Sequence, residues 1–448
     1  MNDWDDAERH AERAGQLYLS GRFSKAADEL RAAIAINPYN ASWHFDLGLT
    51  FDVMANFDAA VAAYHQALAL EPDDVEALNA LGVDFTRLER YDEALECFER
   101  TEQLAPAFEP SYCNRIITYT EMGDHEQAEM MFYLARQVKP VCPLCLYNIS
   151  ASLYERGEYR RAIGCLEQTL KLDSDHPHVH ARIAETCWAM GDLDRAREHY
   201  LSELRSDPGG IEVLLDFGDL LTEMDKFEEA GDKFRRILEQ VPDHPGAHFG
   251  LGKVALKRGR LYAAEEQFRL VIRIDRRYAG VHQALGETLL RMGRMKQAGV
   301  HLLAELRHAG DDPATLLELA ELLIEAQKTK QANAVLRKLV SLQPENPHAE
   351  HSLAVSYLLM GELDDGISHC RRALKLQPEY PLALYNLAQA HLQQGQIPRA
   401  RRYVAKAITL SPSDQQIRAL AGRLGVVGFW GNLKTRIFSR KLRRRSKH

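Results

Sequence analysis

The chain has 448 residues, of which 46% are hydrophobic and 27% charged, a composition that excludes a largely disordered protein. Its net charge of −8 is uneven: residues 415–448 contain ten Lys or Arg and no Asp or Glu, so the rest carries −18. No stretch approaches the roughly 18 apolar residues of a membrane span, and the polar residues 1–12 are unlike a secretory signal peptide. The seven scattered cysteines are typical of reduced thiols, so we expect a cytoplasmic protein.

In chain order, a short N-terminal extension, residues 1–6, precedes a repeating unit. An alanine, or once a glycine, recurs at an unbroken interval of 34 residues from Ala26 to Ala400. With this residue as position twenty, twelve units fill residues 7–414 and begin at 7, 41, 75, 109, 143, 177, 211, 245, 279, 313, 347 and 381. Residues 415–424 match the start of a further unit and predict a capping helix, which residues 425–448 follow as a basic tail.

Each unit carries the pattern of two packed helices. Position eight is small in nearly every unit, as at Gly48 and Gly82, and position twenty-four is bulky in most, as at Tyr64 and Phe98. Small residues let two helices approach closely, and the bulky residue fills the groove beside them. Glycine at position fifteen predicts the turn between the helices, and proline at position thirty-two, present in nine units, ends the second helix.

With this pattern the sequence resembles a tetratricopeptide-repeat protein over about nine tenths of its length. The resemblance implies an all-α, right-handed superhelical solenoid with first helices on the concave side. Repeats six to ten depart from the pattern at position twenty-seven, which is normally small. It holds Glu203, Ile237, Val271, Glu305 and Leu339. Because these side chains disturb the pattern and residues 310–313 form a polar joint, we expect the weakest coupling there.

No catalytic signature occurs in the context that its chemistry requires, so we interpret the chain as non-catalytic and free of cofactors. The one local pattern suited to metal or redox chemistry is the pair Cys142 and Cys145. A zinc site needs four ligands, and this pair supplies two. Candidates for the others lie in adjacent units: Cys113, Cys165, His176, His178 and His180. The favoured interpretation is structural, because the pair straddles an inter-repeat turn where small residues are expected.

In solenoids of this family the concave groove is lined by positions two, five, six, nine, twelve and thirteen of each first helix. Here these positions hold apolar, amide and aromatic residues, followed by carboxylates around a tryptophan. The predicted peptide-binding groove comprises Phe45, Asn79, Asn114, Ile117, Tyr147, Asn148, Tyr154, Glu155, Glu185, Trp188, Asp219 and Glu223. Such a surface suits peptides with basic residues and apolar anchors, and the alternative is a merely solvated face.

Two asparagines at position six, Asn114 and Asn148, give the groove a second feature. Their surroundings resemble the asparagine ladder of O-linked N-acetylglucosamine transferase repeats, without the catalytic domain of that family. In the ladder, inward amides bond the backbone of an extended peptide, since an amide offers both a donor and an acceptor. The two-carboxylate clamp of chaperone-binding relatives is missing from this sequence, so capture of an acidic C-terminal peptide is not expected.

The basic tail predicts a separate binding surface. Apolar residues at helical spacing, among them Trp430, alternate with Lys and Arg, as in a basic amphipathic helix. The predicted tail contacts are Phe429, Trp430, Lys434, Arg436, Arg440, Lys441, Arg443, Arg444 and Arg445. This favours an anionic membrane surface or a docking partner, and the alternative is a frayed basic end. Binding of nucleic acid is not expected, because the tail has few aromatic side chains on which bases could stack.

These patterns together predict a cytoplasmic protein-interaction scaffold or adaptor, which binds extended or basic and apolar peptide segments of other proteins in its groove. Two alternatives remain open. One is a peripheral membrane assembly factor recruited by the tail, and the other is a targeting subunit of a separately encoded enzyme.

Overall fold

The computed structural model describes residues 3–308 and 310–426, where every regular element is an α-helix. Among these residues, no helix combines the length and the apolar character that crossing a bilayer requires. The chain divides into two compact units, Met1–Val213 and Leu214–His448. Each is a helical-repeat solenoid in which consecutive helices pack as pairs.

The first unit is built from helix pairs joined by short turns, and α1 with α2 and α3 with α4 are the first of them. Its helices are α1 (Asp3–Leu19), α2 (Phe23–Ile36), α3 (Ala41–Val53), α4 (Phe57–Leu70), α5 (Val75–Arg87), α6 (Tyr91–Leu104), α7 (Glu109–Glu121), α8 (His125–Val138), α9 (Pro143–Glu155), α10 (Tyr159–Leu172), α11 (Val179–Ala189), α12 (Leu193–Ser206) and the start of α13 (Ile211–Glu223).

The second unit continues the alternation, and the last helix among the described residues, the short α25, packs on α24. Beyond the rest of α13, its helices are α14 (Phe227–Gln240), α15 (Pro245–Lys257), α16 (Leu261–Ile274), α17 (Val281–Arg291), α18 (Met295–Glu305), α19 (Pro313–Glu325), α20 (Thr329–Leu342), α21 (Pro347–Met360), α22 (Leu363–Leu376), α23 (Pro381–Gln393), α24 (Ile397–Leu410) and α25 (Gln415–Arg423).

The small-residue positions lie where the helices of a pair touch. Ala60, at position twenty, is fully buried. A Cβ placed on Gly82 would lie 2.6 Å from the ring of Phe98, so the packing of the ring requires glycine at this point. Repeat four has Ile116 at the same position, and its partner Phe132 is less buried, with 8% of its surface exposed against 0% for Phe98. A small residue at position eight therefore allows the aromatic ring at position twenty-four to be fully buried between the two helices.

The turn inside each pair uses a left-handed backbone residue at position fifteen. Glycine supplies it at most of these turns, as at Gly123 with φ of 75°. Four of the turn residues are not glycine and still adopt positive φ: Ala55, Glu89, Asp225 and Gln327. The packing of the two helices therefore requires the left-handed conformation at position fifteen, and glycine is the common residue there without being required at every turn.

One departure at position twenty-seven, Glu305, is a buried carboxylate that caps a helix. Helix α17 begins at position three of its unit, after the left-handed residue Gly280, whereas α3, α5 and α7 begin at position one. Glu305 accepts hydrogen bonds from the backbone N–H groups of Gly280 and His282, both at 3.0 Å, and of Gln283 at 3.2 Å. These donors have no partner inside the helix, so the carboxylate satisfies them and faces the positive end of the helix dipole.

Glu203 repeats this arrangement in the first unit. Helix α11 also begins late, after the left-handed residue His178, and the buried Glu203 accepts from the backbone N–H of Ala181 at 3.1 Å. The side chain of His178 lies 3.6 Å from the same carboxylate. Two of the five irregular residues at position twenty-seven thus have a specific structural role.

Candidate functional site

The first helices of successive pairs in the first unit contact one another, α3 with α5, α5 with α7 and α7 with α9. They form a continuous face. Position nine of these helices carries Leu49, Val83, Ile117 and Ala151, which we call the position-nine stripe. Leu49 and Val83 are half-buried against the core, whereas Ile117 has 37% of its surface exposed. The stripe therefore offers apolar surface on the face where the groove was predicted.

Two tyrosines of α9 lie on the same face and are half-buried. The ring of Tyr147 lies 4.8 Å from that of His176, and the ring of Tyr154 lies 5.5 Å from that of Tyr159. Burial, followed by the charge of Glu185, raises the pKa of the Tyr154 hydroxyl, which is therefore protonated at neutral pH. Both rings present an apolar surface with a polar edge, a combination common at protein-binding surfaces.

The other two predicted aromatic residues are also half-buried. Phe45 packs against the core of the first pairs, with its ring 5.7 Å from that of Tyr64. Trp188 lies near the end of α11. Phe45 thus contributes to packing as well as to the face of the first helices.

Glu155, Glu185 and Asp219, among the predicted carboxylates, face basic groups. Glu185 lies 3.3 Å from Arg182, and Glu155 lies 3.8 Å from the ring of His125. In the second unit, Asp219 lies 2.8 Å from Lys253, and Glu223 is exposed. The acidic character predicted for the groove is therefore partly neutralised within each unit.

The asparagines link successive first helices. The side-chain amide of Asn114 donates to the side-chain oxygen of Asn79 at 3.0 Å. Asn148 is buried, and its amide donates to the backbone carbonyl of Cys113 at 3.1 Å. Each link spans 35 residues. The amide nitrogen of Asn148 therefore joins α7 to α9, and peptide binding by the asparagines stays a prediction.

A buried charge cluster on the same face was not predicted from the sequence. Arg87 contacts Asp52 and also donates to the buried carboxylate of Asp84 at 3.0 Å. Burial, and then the charge of Asp52, raises the pKa of Asp84 to about 7, against the opposing effect of Arg87. The available signal was an Asp and an Arg three residues apart on one helix, together with an Asp on the preceding first helix.

Three cysteines and one carboxylate meet at the starts of α7 and α9. Cys113 and Cys145 form a disulfide, so the expectation that all cysteines are reduced is wrong for this pair. The sulfur of Cys142 lies 3.8 Å from that of Cys113. A carboxylate oxygen of Glu109 lies 2.5 Å from the sulfur of Cys142, and the four donor atoms all lie within 4.8 Å of one another.

Of the ligand candidates named from the sequence, Cys113 joins Cys142 and Cys145 in this cluster. Cys165 and the three histidines His176, His178 and His180 are not members of it. Glu109 was missed, because its role depends on lying one helical turn before Cys113 and facing the next first helix. The predicted tail contacts, from Phe429 to Arg445, lie outside the described residues.

Two solved structures similar to the chain over most of its length are the APC/C hetero-tetramer Cut9–Hcn1 and yeast Tom70. The first has 12% identity over 93% of this chain and 96% of that chain, with a TM-score of 0.45. The second has 13% identity over 98% and 99%, with a TM-score of 0.41. YrrB, described as a TPR protein with an unusual peptide-binding site, has 17% identity over 42% of this chain and 96% of its own, with a TM-score of 0.36.

Sequence models of the tetratricopeptide repeat match the chain directly. One matches residues 45–107, 147–211, 215–279 and 317–381, which together exceed half of the chain, and another matches residues 357–424. No curated protein gives a significant match. Because the repeat models cover most of the helix pairs, the chain belongs to the tetratricopeptide-repeat family, a helical scaffold typical of protein–protein interaction.

Proposed function

We propose that the chain is an interaction scaffold whose first-helix face in the first unit binds an extended peptide segment through an apolar side chain. The observation that supports this is the position-nine stripe, with Ile117 exposed at 37% on a face that also carries Tyr147 and Tyr154. An exposed aliphatic side chain on a face that also carries half-buried aromatic rings provides an anchor contact, because its burial by a partner removes apolar surface from water.

The charges beside the stripe make a smaller contribution. Glu155 and Glu185 favour Lys or Arg in the bound segment, but Glu185 already pairs with Arg182 and Glu155 faces His125. Ion pairs at such exposed sites contribute about 0–1 kcal/mol each. The apolar anchor therefore dominates affinity, and the carboxylates select among peptides that carry it.

A displayed library of random peptides tests this proposal. The chain is compared with Ile117→Asp, which places a charge at the exposed centre of the stripe. The matched control is Met130→Asp on α8, a second helix of the same repeat, where Met130 is also exposed. We expect peptides with an apolar anchor to be enriched by the unchanged chain and by the control.

Calorimetry on a selected peptide then gives the affinities. Ile117→Asp should weaken binding by about tenfold or more, since burying one aliphatic side chain is worth roughly 1.5–3 kcal/mol. Met130→Asp should leave the affinity unchanged. Enrichment of the same peptides by Ile117→Asp, or an equal loss in both variants, would contradict the proposal.

A further inference from the structure

We propose that Glu109, Cys113, Cys142 and Cys145 form a tetrahedral Zn²⁺ site when the three cysteines are reduced. The four donors come from two helix starts that pack together. Glu109 and Cys113 lie one turn apart on α7, at the same face. Cys142 is the N-cap of α9, and Cys145 follows it in the first turn. The contact between α7 and α9 brings the two pairs face to face.

Three of the distances between donors are close to those of a zinc site. Bond lengths of about 2.3 Å to sulfur and 2.0–2.2 Å to oxygen place tetrahedral donors about 3.6–3.8 Å apart. The sulfurs of Cys113 and Cys142 are 3.8 Å apart, and the Glu109 oxygen lies 3.6 Å from Cys145 and 3.2 Å from Cys113. Reduction releases Cys145 from Cys113, and the sulfur of Cys142, now 2.5 Å from the Glu109 oxygen, must move away from it by about 1 Å to complete the tetrahedron.

A disulfide uses two of the four groups, and the other two, Cys142 and Glu109, contact each other. Cys142 is then a buried thiol against a half-buried carboxylate, beside two further buried sulfurs. Lys139, whose ammonium lies 3.4 Å from the outer oxygen of Glu109, is a basic group at the rim of the cluster. A divalent cation at the centre interacts with all four donors, and Lys139 offsets part of the net negative charge of three thiolates and a carboxylate around it.

The disulfide and the zinc site exclude each other, because a disulfide sulfur is not a thiolate ligand. A dithiol reductant converts the Cys113–Cys145 disulfide into two thiols and is itself oxidised to a cyclic disulfide. Binding of Zn²⁺ then releases one proton from each of the three thiols to solvent, and Glu109 binds as its carboxylate. With four protein ligands the site is structural, and it ties the start of α7 to the start of α9.

The test uses the untagged full chain, reduced with a phosphine, freed of metal and then incubated with Zn²⁺ or Co²⁺. We expect one equivalent of zinc by mass spectrometry, and with Co²⁺ the absorption bands of a tetrahedral thiolate complex. The diagnostic variant is Cys142→Ser, because serine is a good N-cap and should preserve α9. Cys165→Ser, a half-buried cysteine outside the cluster, is the matched control.

Cys142→Ser and Glu109→Gln should each weaken metal binding by more than the roughly 10–100-fold that loss of a supporting hydrogen bond costs. The control should bind one equivalent, and circular dichroism should show that all variants are folded. The proposal is overturned if the folded, reduced chain binds no zinc, or if Cys142→Ser binds as tightly as the control.

Discussion

Asp84 is a single residue at which burial and charge act in opposite directions. Burial raises its pKa to about 7, although Arg87 is hydrogen-bonded to it. The folded chain therefore keeps a proton on this carboxyl that the unfolded chain releases near pH 4. Its contribution to stability is fully present below about pH 4 and is lost as the pH rises through about 7.

Asp84→Asn removes this titration. Relative to the unchanged chain, we expect the variant to gain free energy of unfolding as the pH rises from 4 to 8, reaching about 1–3 kcal/mol at pH 8. Urea denaturation at a series of pH values measures the difference. Asp52→Asn is the control, and it should move the transition to lower pH, because Asp52 contributes to the raised pKa. A difference between Asp84→Asn and the unchanged chain that does not vary with pH would contradict this assignment.

The cap made by Glu305 concerns a whole element, since it sets where α17 begins. The pattern of the repeats favours alanine at this position, as in Ala67 and Ala135, and so suggests that Glu305 is a defect. The structure shows instead that three backbone N–H groups of the helix start depend on it. Repeat consensus and local structure therefore disagree at this residue.

Glu305→Ala should lower the stability of the second unit although it restores the common residue. We expect a loss of about 1–3 kcal/mol, the scale of leaving buried donors without a partner, measured by urea denaturation. Glu305→Gln keeps one acceptor oxygen and should lose less. Hydrogen exchange at residues 280–283 should accelerate in the alanine variant. An alanine variant as stable as the unchanged chain would show that the carboxylate is dispensable.

Elements of this fold could be predicted because their causes repeat at a fixed interval. The buried Ala60 and the glycine required at Gly82 are each one instance of a constraint that recurs along the chain. The family and the helical solenoid could therefore be predicted from the sequence. The left-handed turns at position fifteen could be predicted where the residue is glycine, but not at Ala55, where the packing overrides residue preference.

The site could be predicted from the sequence only in part, because its contacts join residues that no fixed pattern connects. Glu109 lies 33 residues before its nearest sulfur, on Cys142. The burial of Asn148, and of the carboxylate of Asp84, depends on how far each first helix overlaps the one before it. A periodic pattern gives the face of a helix on which a residue lies, but not the partner that meets it on the next helix.

At the scale of the whole molecule, the weakest coupling is expected in the second unit near its polar joint. Helix α18 has 11 residues, whereas the other second helices of the pairs have 14. A shorter helix buries less surface against the next pair, and in stacked repeats stability comes from such interfaces.

Amide hydrogen exchange should therefore be fastest around residues 300–330, apart from the termini and the tail. Mass spectrometry of peptic fragments measures this, and residues 91–121 in the first unit are the internal reference. Uniform protection across the repeats would refute the expectation. Membrane binding by the basic tail stays a separate prediction.

The links that span 35 residues bear on whether the repeats can be exchanged for one another. Removing residues 75–108 would leave the 34-residue frame intact, but Asn114 would then face Phe45, which occupies the place of Asn79 one unit earlier. Asn148 donates to the backbone carbonyl of Cys113 in the preceding unit. Because every residue has a backbone carbonyl, this hydrogen bond does not depend on which unit precedes that of Asn148. Recombination within this array is thus tolerated at some junctions and penalised at others, so the order of its units carries information that their shared pattern does not.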